Sequence, residues 1–371
     1  MRRIYIHQNK NWPKFDWKQE NLAKILGTIR HKQGKLTGRM EALGFKLRNE
    51  ATLQTLTLDV LKSSEIEGEM LNADQVRSSI ARRLGMDIAG LVPADRHVEG
   101  IVEMMLDATQ NYEEELTAGR LFAWHAAMFP TGRSGMQKIT VGAWRDNPVD
   151  DPMQVVSGPM GKERVHYEAP AAELLEKEMQ VFLEWFNHQD DIDPVLKAGV
   201  AHLWFVTIHP FDDGNGRIAR AIADMQLARS DESKHRFYSM SAQIRKERTE
   251  YYDILEATQK GSLDITTWLQ WFFACLDRAL VASEETLEGV MKKAKFWEAH
   301  AGTEFNTRQK FMLNKLLDHF DGALTSSKWA KITKASHDTS LRDIQDLISK
   351  KVLIKDPAGG RSTNYLLNDF N

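Results

Sequence analysis

Apolar positions recur at helical spacing over most of the chain, and one long segment breaks that rhythm. Ile4, Tyr5 and Ile6, then Trp12, Phe15 and Trp17, form an arm whose aromatics need a body to pack on. Asp16 is placed to cap a helix over residues 17–44. Leu53, Leu56, Leu58, Val60 and Leu61 stripe a second helix that ends in Ser63-Ser64-Glu65-Ile66-Glu67-Gly68-Glu69. The pattern predicts further helices over 72–84, 96–111, 117–128 and 170–187. Arg77, Arg82 and Arg83 read as a solvated face. Residues 198–208 are apolar on all sides, which predicts a buried helix opened by Asp193-Pro194. His202 within it reads as a packed histidine. Helical spacing returns over 218–228, 239–260 and 264–300. In the last of these Trp268, Trp271, Phe272, Cys275 and Leu276 form a stripe that suits a core or an oligomer face.

The break spans residues 130–169, where Gly, Pro and Asp are dense and 139–141, 153–156 and 164–167 alternate like short strands. The end of the chain changes character again. After three short helical segments come Val352-Leu353-Ile354, Pro357-Ala358-Gly359-Gly360 and Tyr365-Leu366-Leu367. Helices followed by a hairpin resemble a winged helix. Residues 307–371 hold 11 Lys and Arg against 7 Asp and Glu. One reading is DNA binding through 339–349 and a wing at Gly360-Arg361. Asp343 and Asp346 on the same helix favour the other, protein contacts or dimerisation.

Composition narrows the class without naming it. At 371 residues, 42% hydrophobic and 27% charged, the chain suits a globular protein of two or three domains. A net charge of −3 gives no global pull towards nucleic acid or membrane. The single cysteine, Cys275, allows no internal disulfide. The N-terminus is polar again by Gln8, too soon for a signal peptide, and no apolar run has the length of a membrane span. The expectation is a soluble, cytoplasmic protein with no membrane partner.

The chemistry concentrates in His209-Pro210-Phe211-Asp212-Asp213-Gly214-Asn215-Gly216-Arg217-Ile218-Ala219-Arg220, a turn between two predicted core helices. Gly214 and Gly216 permit positive φ and close backbone approach. Free N–H groups at a helix start form an anion site. Arg217 and Arg220 are three apart, so they share a helix face and can both reach phosphate oxygens. Asp212 or Asp213 can hold Mg²⁺ against phosphates. His209 is the one group here whose ordinary pKa lies near neutrality, and so the natural proton acceptor. These residues suggest phosphoryl or nucleotidyl transfer. Metal-dependent phosphohydrolysis would need further ligands at defined spacing, and the chain's one His-Asp pair, His337-Asp338, lies far off in the C-terminal segment.

This block resembles the Fic signature HPFx(D/N)GNGRxxR. Chance agreement at about eight fixed positions is on the order of one in ten billion. The resemblance implies a mainly α fold: an N-terminal helical region over 1–95, a Fic catalytic core over 96–300 with a β-hairpin flap over about 137–167, and a winged-helix-like domain over 301–371. It implies transfer of AMP from ATP to a Ser, Thr or Tyr hydroxyl of a protein, the chain itself included, with His209 as base. Asp213 would hold Mg²⁺. Gly214, Asn215 and Gly216 would line the anion hole, Arg217 would meet the β-phosphate and Arg220 the γ-phosphate. Tyr252 would contact the adenosine end. Ser63, Glu67 and Gly68 fit (S/T)xxxE(G/N), the inhibitory motif of such proteins, within a helix over about 47–68. Its glutamate would pair with Arg220 in place of the γ-phosphate. Met153, Gln154, Val155 and Val156 would be the flap proper, holding a protein target by main-chain pairing. Homo-oligomers, transfer of other phosphate-containing groups and removal of AMP also fall within what the resemblance implies.

Overall fold

The computed structural model describes residues 5–42, 44–86, 90–159, 161–188, 191–318, 320, 322–357 and 363–368. They cluster as two units, Met1–Leu84 with Pro93–Glu284, and Gly85–Val92 with Glu285–Asn371. Both are mainly helical. Among the described residues no helix is long and apolar enough to cross a membrane.

In the first unit the N-terminal arm packs as its aromatics require. Trp12 and Phe15 meet Trp204 edge-on at 6.3 and 5.6 Å, and Tyr5 meets Tyr167 at 5.2 Å. Asp16 does not cap α1 (Gln19–Glu41). Its backbone pairs with Leu263 and Ile265 instead, and Lys18 takes the cap position without a side-chain bond. Next come α2 (Phe45–Ile66) and α3 (Ala73–Arg83), the latter capped by the Asn72 side chain. Asp95 and Thr117 cap α4 (Arg96–Gln110) and α5 (Ala118–Met128). The arginines of α3 are not merely solvated: Arg77 pairs with Glu50, Arg82 with Glu99, and Arg83 with Glu99 and Glu103.

The irregular segment holds two small hairpins. β1 (Arg133–Ser134) pairs with β2 (Gln137–Lys138), so 139–141 is not a strand. β3 (Gln154–Ser157) pairs antiparallel with β4 (Arg164–Glu168), with a register irregularity between Val155 and Val156.

Behind these lie α6 (Leu175–Asn187), α7 (Pro194–Ile208) and α8 (Asn215–Asp231). Every residue of α7 from Val195 to Ile208 is buried, as its all-round apolar sequence demands. Asp193 caps it through the N–H groups of Val195 and Leu196. The expected single helix over 239–260 is instead α9 (Met240–Lys246) and α10 (Arg248–Gln259). The chain turns at Glu247, whose carboxylate takes both Nε and Nη2 of Arg278 at 2.6 Å. In α11 (Thr266–Ala299), Trp268, Phe272, Cys275 and Leu276 are buried within this chain, which makes the stripe core.

The second unit contains α12 (Thr307–Leu317), α13 (Ser326–Thr333), α14 (His337–Ser349) and an antiparallel pair, β5 (Leu353–Lys355) with β6 (Tyr365–Leu367). Trp329, Ile344, Leu347, Val352 and Leu353 form its core. Asp343 and Asp346 are engaged inside the unit, by Arg308 and by Gln309 and Lys350. The wing positions Gly360 and Arg361 lie outside the described residues.

Helices α4 and α5 approach so closely at Gly100 that an added Cβ would overlap the Ala127 carbonyl. Gly100→Ala is therefore expected to destabilise the fold by about 1–3 kcal/mol, since backbone must move to admit the methyl. Urea denaturation measures this; an unchanged midpoint would mean the two helices can separate freely.

Candidate active site

Helices α7 and α8 pack as a pair, and the turn between them carries the motif. His209 ends α7 in the left-handed region (φ 52°). Its backbone N–H donates to the Phe205 carbonyl, and Arg145 Nε donates to its carbonyl at 2.8 Å. Asn215 braces the turn from inside. Its Oδ1 accepts the Phe211 N–H at 3.0 Å and its Nδ2 donates to the Phe211 carbonyl at 2.7 Å. The Asn215 side chain is thus committed to the loop, and what it can offer a ligand is its backbone N–H. Gly214 sits at φ 83°, and an added Cβ would press on Met128 and Phe129. Both the conformation and the space call for glycine there.

The His209 ring is half-buried, and its Nδ1 lies 3.2 Å from the Val206 carbonyl. A proton on Nδ1 satisfies that carbonyl and leaves the Nε2 lone pair free. Burial pushes the imidazole pKa down to about 4, with Arg145 adding to the effect. The ring is neutral at physiological pH and able to accept a proton.

Arg217 and Arg220 of α8 point back to the end of α2 and the turn that follows it. Arg220 is 2% exposed. Its Nε donates to Ser63 Oγ at 2.9 Å, and its Nη2 to the Ser63 carbonyl at 2.9 Å and to Glu67 Oε1 at 2.7 Å. Burial opposes the guanidinium charge, but Glu67, with Tyr251 and Tyr252 beside it, more than offsets this and raises the pKa. The Tyr252 hydroxyl donates to Glu67 Oε2 at 3.3 Å, so this ring lies beside the turn that follows α2. An ideal Cβ on Gly216 would overlap Glu67 Oε1. The carboxylate therefore sits over the first turn of α8, where helix N–H groups and dipole favour an anion. Gly68 closes α2 at φ 85° with open space around its Cα, so backbone conformation is what selects glycine.

Arg217 lies over the Phe129 ring at 5.3 Å and donates from Nη1 to Glu69 Oε2 at 2.8 Å. Asp213 Oδ1 accepts the Gly214 N–H at 2.6 Å, and Oδ2 accepts the Ser134 hydroxyl. Asp212 accepts the Thr140 N–H at 2.8 Å and so holds the 133–142 loop rather than facing Arg217.

The turn, both arginines, Ser63, Glu67, Gly68 and Tyr252 thus form one cluster. Met153, Gln154, Val155 and Val156 lie apart from it on the β3 hairpin. Met153 and Val155 pack on Tyr5 and Tyr167, Val156 is exposed, and the Met153 carbonyl accepts the Ala169 N–H. Among the described residues β3 pairs only with β4, so its other edge is open. Glu256 of α10 holds the hairpin through Arg164 at 2.9 Å and His166 at 2.5 Å. His202 is buried against the Tyr251 hydroxyl at 2.9 Å, a packed histidine.

Sequence reasoning missed Glu69, His97, Ser134, Arg145 and Arg248. Glu69 had a signal, a second acid just beyond the inhibitory motif. The others come from distant segments and follow no local pattern.

The fold and this cluster define a helical protein with a guanidinium-lined anion site beside a neutral imidazole. Residues 115–227, which carry the turn, His209, Arg217 and Arg220, match the Fic/DOC family. Residues 5–86 match a family described as a domain of unknown function (DUF4172). The protein adenylyltransferase Fic of Nematostella vectensis is 33% identical over 115 residues, 30% of this chain and 25% of its own length. That of Drosophila virilis is 26% identical over 227 residues, 60% of this chain and 41% of its own. The chain spans less than half the length of these curated relatives. A Fic family protein from Desulfovibrio desulfuricans shares the fold at a TM-score of 0.51 and 20% identity, covering 95% of this chain and 97% of its own. A Fic domain-containing signaling protein from Bacteroides thetaiotaomicron does so at 0.52 and 19%, covering 71% and 98%.

The depressed pKa makes a testable statement. The native state resists protonating His209 between its ordinary 6.5 and about 4, whereas an unfolded chain does not. This group's contribution to stability is thus complete above the ordinary value and declines as pH falls through that window. NMR of the full chain should show the His209 ring titrating near pH 4, and a midpoint above pH 6 would overturn the buried neutral base.

Proposed function

We propose that the protein is an autoinhibited protein adenylyltransferase. The observation that carries this reading is the 2.7 Å pair between Glu67 and Arg220 over the first turn of α8, in the same cluster as the neutral His209. A carboxylate there fills the position that an ATP phosphate would take, since both present oxygens to a guanidinium. Withdrawal of Glu67 frees Arg220 and the helix N-terminus for the triphosphate.

His209 Nε2 then accepts the proton of an acceptor hydroxyl. The hydroxyl oxygen bonds to the α-phosphorus, the bond from that phosphorus to the bridging oxygen breaks, and pyrophosphate leaves. Gly214 turns the chain at φ 83°, Asn215 and Gly216 supply backbone N–H groups, and Arg217 and Arg220 balance the phosphate charge. Asp213 is suited to Mg²⁺, which asks for one or two carboxylates and completes its shell with water and phosphate. Each Asp213 oxygen accepts one hydrogen bond and keeps a lone pair. When bound, the ion would neutralise phosphate charge. The open β3 edge suits an extended segment of a target protein, paired through its main chain. Tyr252, released from Glu67, would meet the nucleoside end; its bond to Glu67 beside the site supports this.

Intact-mass analysis of the full chain with Mg²⁺ and ATP tests the reading. Wild type should label weakly. Glu67→Gly should raise labelling about 10- to 100-fold, as expected for removing one charge-assisted contact, with one AMP added per event. His209→Ala in that background should cut the rate by about 10²–10⁴. Labelling that survives His209→Ala would exclude the assigned base. Competition with other nucleotides in the same assay separates AMP from other groups. A Glu67→Gly protein that loses the power to release AMP from a labelled product would point to removal, with Glu67 orienting water.

A further inference from the structure

The inhibitory turn presents two carboxylates, and the second has no place in the motif. Glu69 follows Glu67 by two residues, past Gly68 at φ 85°. The turn is closed by main-chain bonds: the Gly68 N–H donates to the Glu65 carbonyl, and the Glu69 N–H to the Ser64 carbonyl at 3.0 Å. This closure sends the two side chains to different guanidiniums, Glu67 to Arg220 at 2.7 Å and Glu69 to Arg217 at 2.8 Å. Arg217 is 4% exposed, and among the described residues its Nε has no hydrogen-bond partner.

The Glu69 carboxylate is also steered from its other side. His97, on the first turn of α4, contacts Glu69 Oε1 through Nε2 and the Met128 carbonyl through Nδ1 at 2.9 Å. With both ring nitrogens facing acceptors, the protonated ring suits the site best. The His97 pKa is raised by its bond to Glu69, and the Glu69 pKa is lowered by the same bond, as an ionised pair requires. Glu69 is thus fixed between a cation that would meet phosphate and one that has no part in the reaction.

We propose that Glu69 is a second inhibitory carboxylate, which competes with the nucleotide phosphates for Arg217 and is positioned for this by His97. This rests on the reading of Arg217 and Arg220 as phosphate ligands. Access for ATP then requires two carboxylates to withdraw, each from its own arginine. Relief of Glu67 alone leaves Arg217 engaged, so the two variants should differ in which nucleotides they favour.

Titration calorimetry of the full chain with Mg²⁺ and ATP, ADP or AMP separates the cases. Glu69→Gln should tighten ATP and ADP by about tenfold each, while AMP, which lacks the β-phosphate, stays within about twofold. Glu67→Gly should favour ATP over ADP. His97→Gln should tighten ADP less than Glu69→Gln does, and combining the two should add nothing, because His97 acts through Glu69. ADP affinity that Glu69→Gln leaves unchanged or weakens would overturn the proposal. If Glu67→Gly fails to raise AMP labelling while Glu69→Gln still tightens ADP, the adenylyltransferase reading fails and the second carboxylate stands.

Discussion

Two guanidinium groups, buried beside the start of one helix, need anions to face. Arg217 and Arg220 cannot turn to water, because α7 and α8 hold their segment in the core. An unpaired buried charge is among the most destabilising things a fold can contain. The chain meets the need with its own carboxylates, drawn from the turn that ends α2. The two buried cations are thereby balanced from within the chain, Arg220 by Glu67 and Arg217 by Glu69.

That arrangement works only if α2 itself is fixed. Ala51, Leu53, Leu56, Val60 and Ile66 are fully buried, so the helix belongs to the core rather than lying on it. Asp59, fully buried, accepts hydrogen bonds from the Ser239 hydroxyl and the Ser241 N–H. Burial raises its pKa, and burial with Asp59 nearby pushes Asp224 of α8 up to about 8. Arg236 answers both, bonding Asp224 at 2.7 Å. The Ile66 carbonyl at the end of α2 takes Arg248 Nε at 2.6 Å. The helix is thus anchored along its length, and the carboxylates that meet the arginines are carried by the short turn at 67–69, which passes through Gly68 at φ 85°.

How much of this was legible in the sequence depended on whether the information was local. The motif turn was legible because glycines, a helix start and two arginines at a three-residue spacing leave few alternatives. The buried α7 was legible because its apolar residues cover every face. Glu67 was legible through its spacing from Ser63 and Gly68. The single helix expected over 239–260 failed because the backbone leaves helical geometry at Glu247 (φ −106°, ψ 27°), where no glycine or proline marks the break. Asp16 failed as a cap because its backbone is recruited by the segment before α11. His97 and Arg145 were invisible for the same reason, since each gains its role from a carbonyl or carboxylate brought close only by the folded chain.

Helix α10 touches two separate segments at once. Near its start, Arg248 and Tyr252 grip Ile66 and Glu67. Two turns later, Glu256 anchors Arg164 and His166 of the hairpin. A single rigid rod of 12 residues thus carries both loads. Substitutions that reseat the hairpin will therefore strain the turn at 67–69 through the same helix, so a change at one end of α10 is felt at the other.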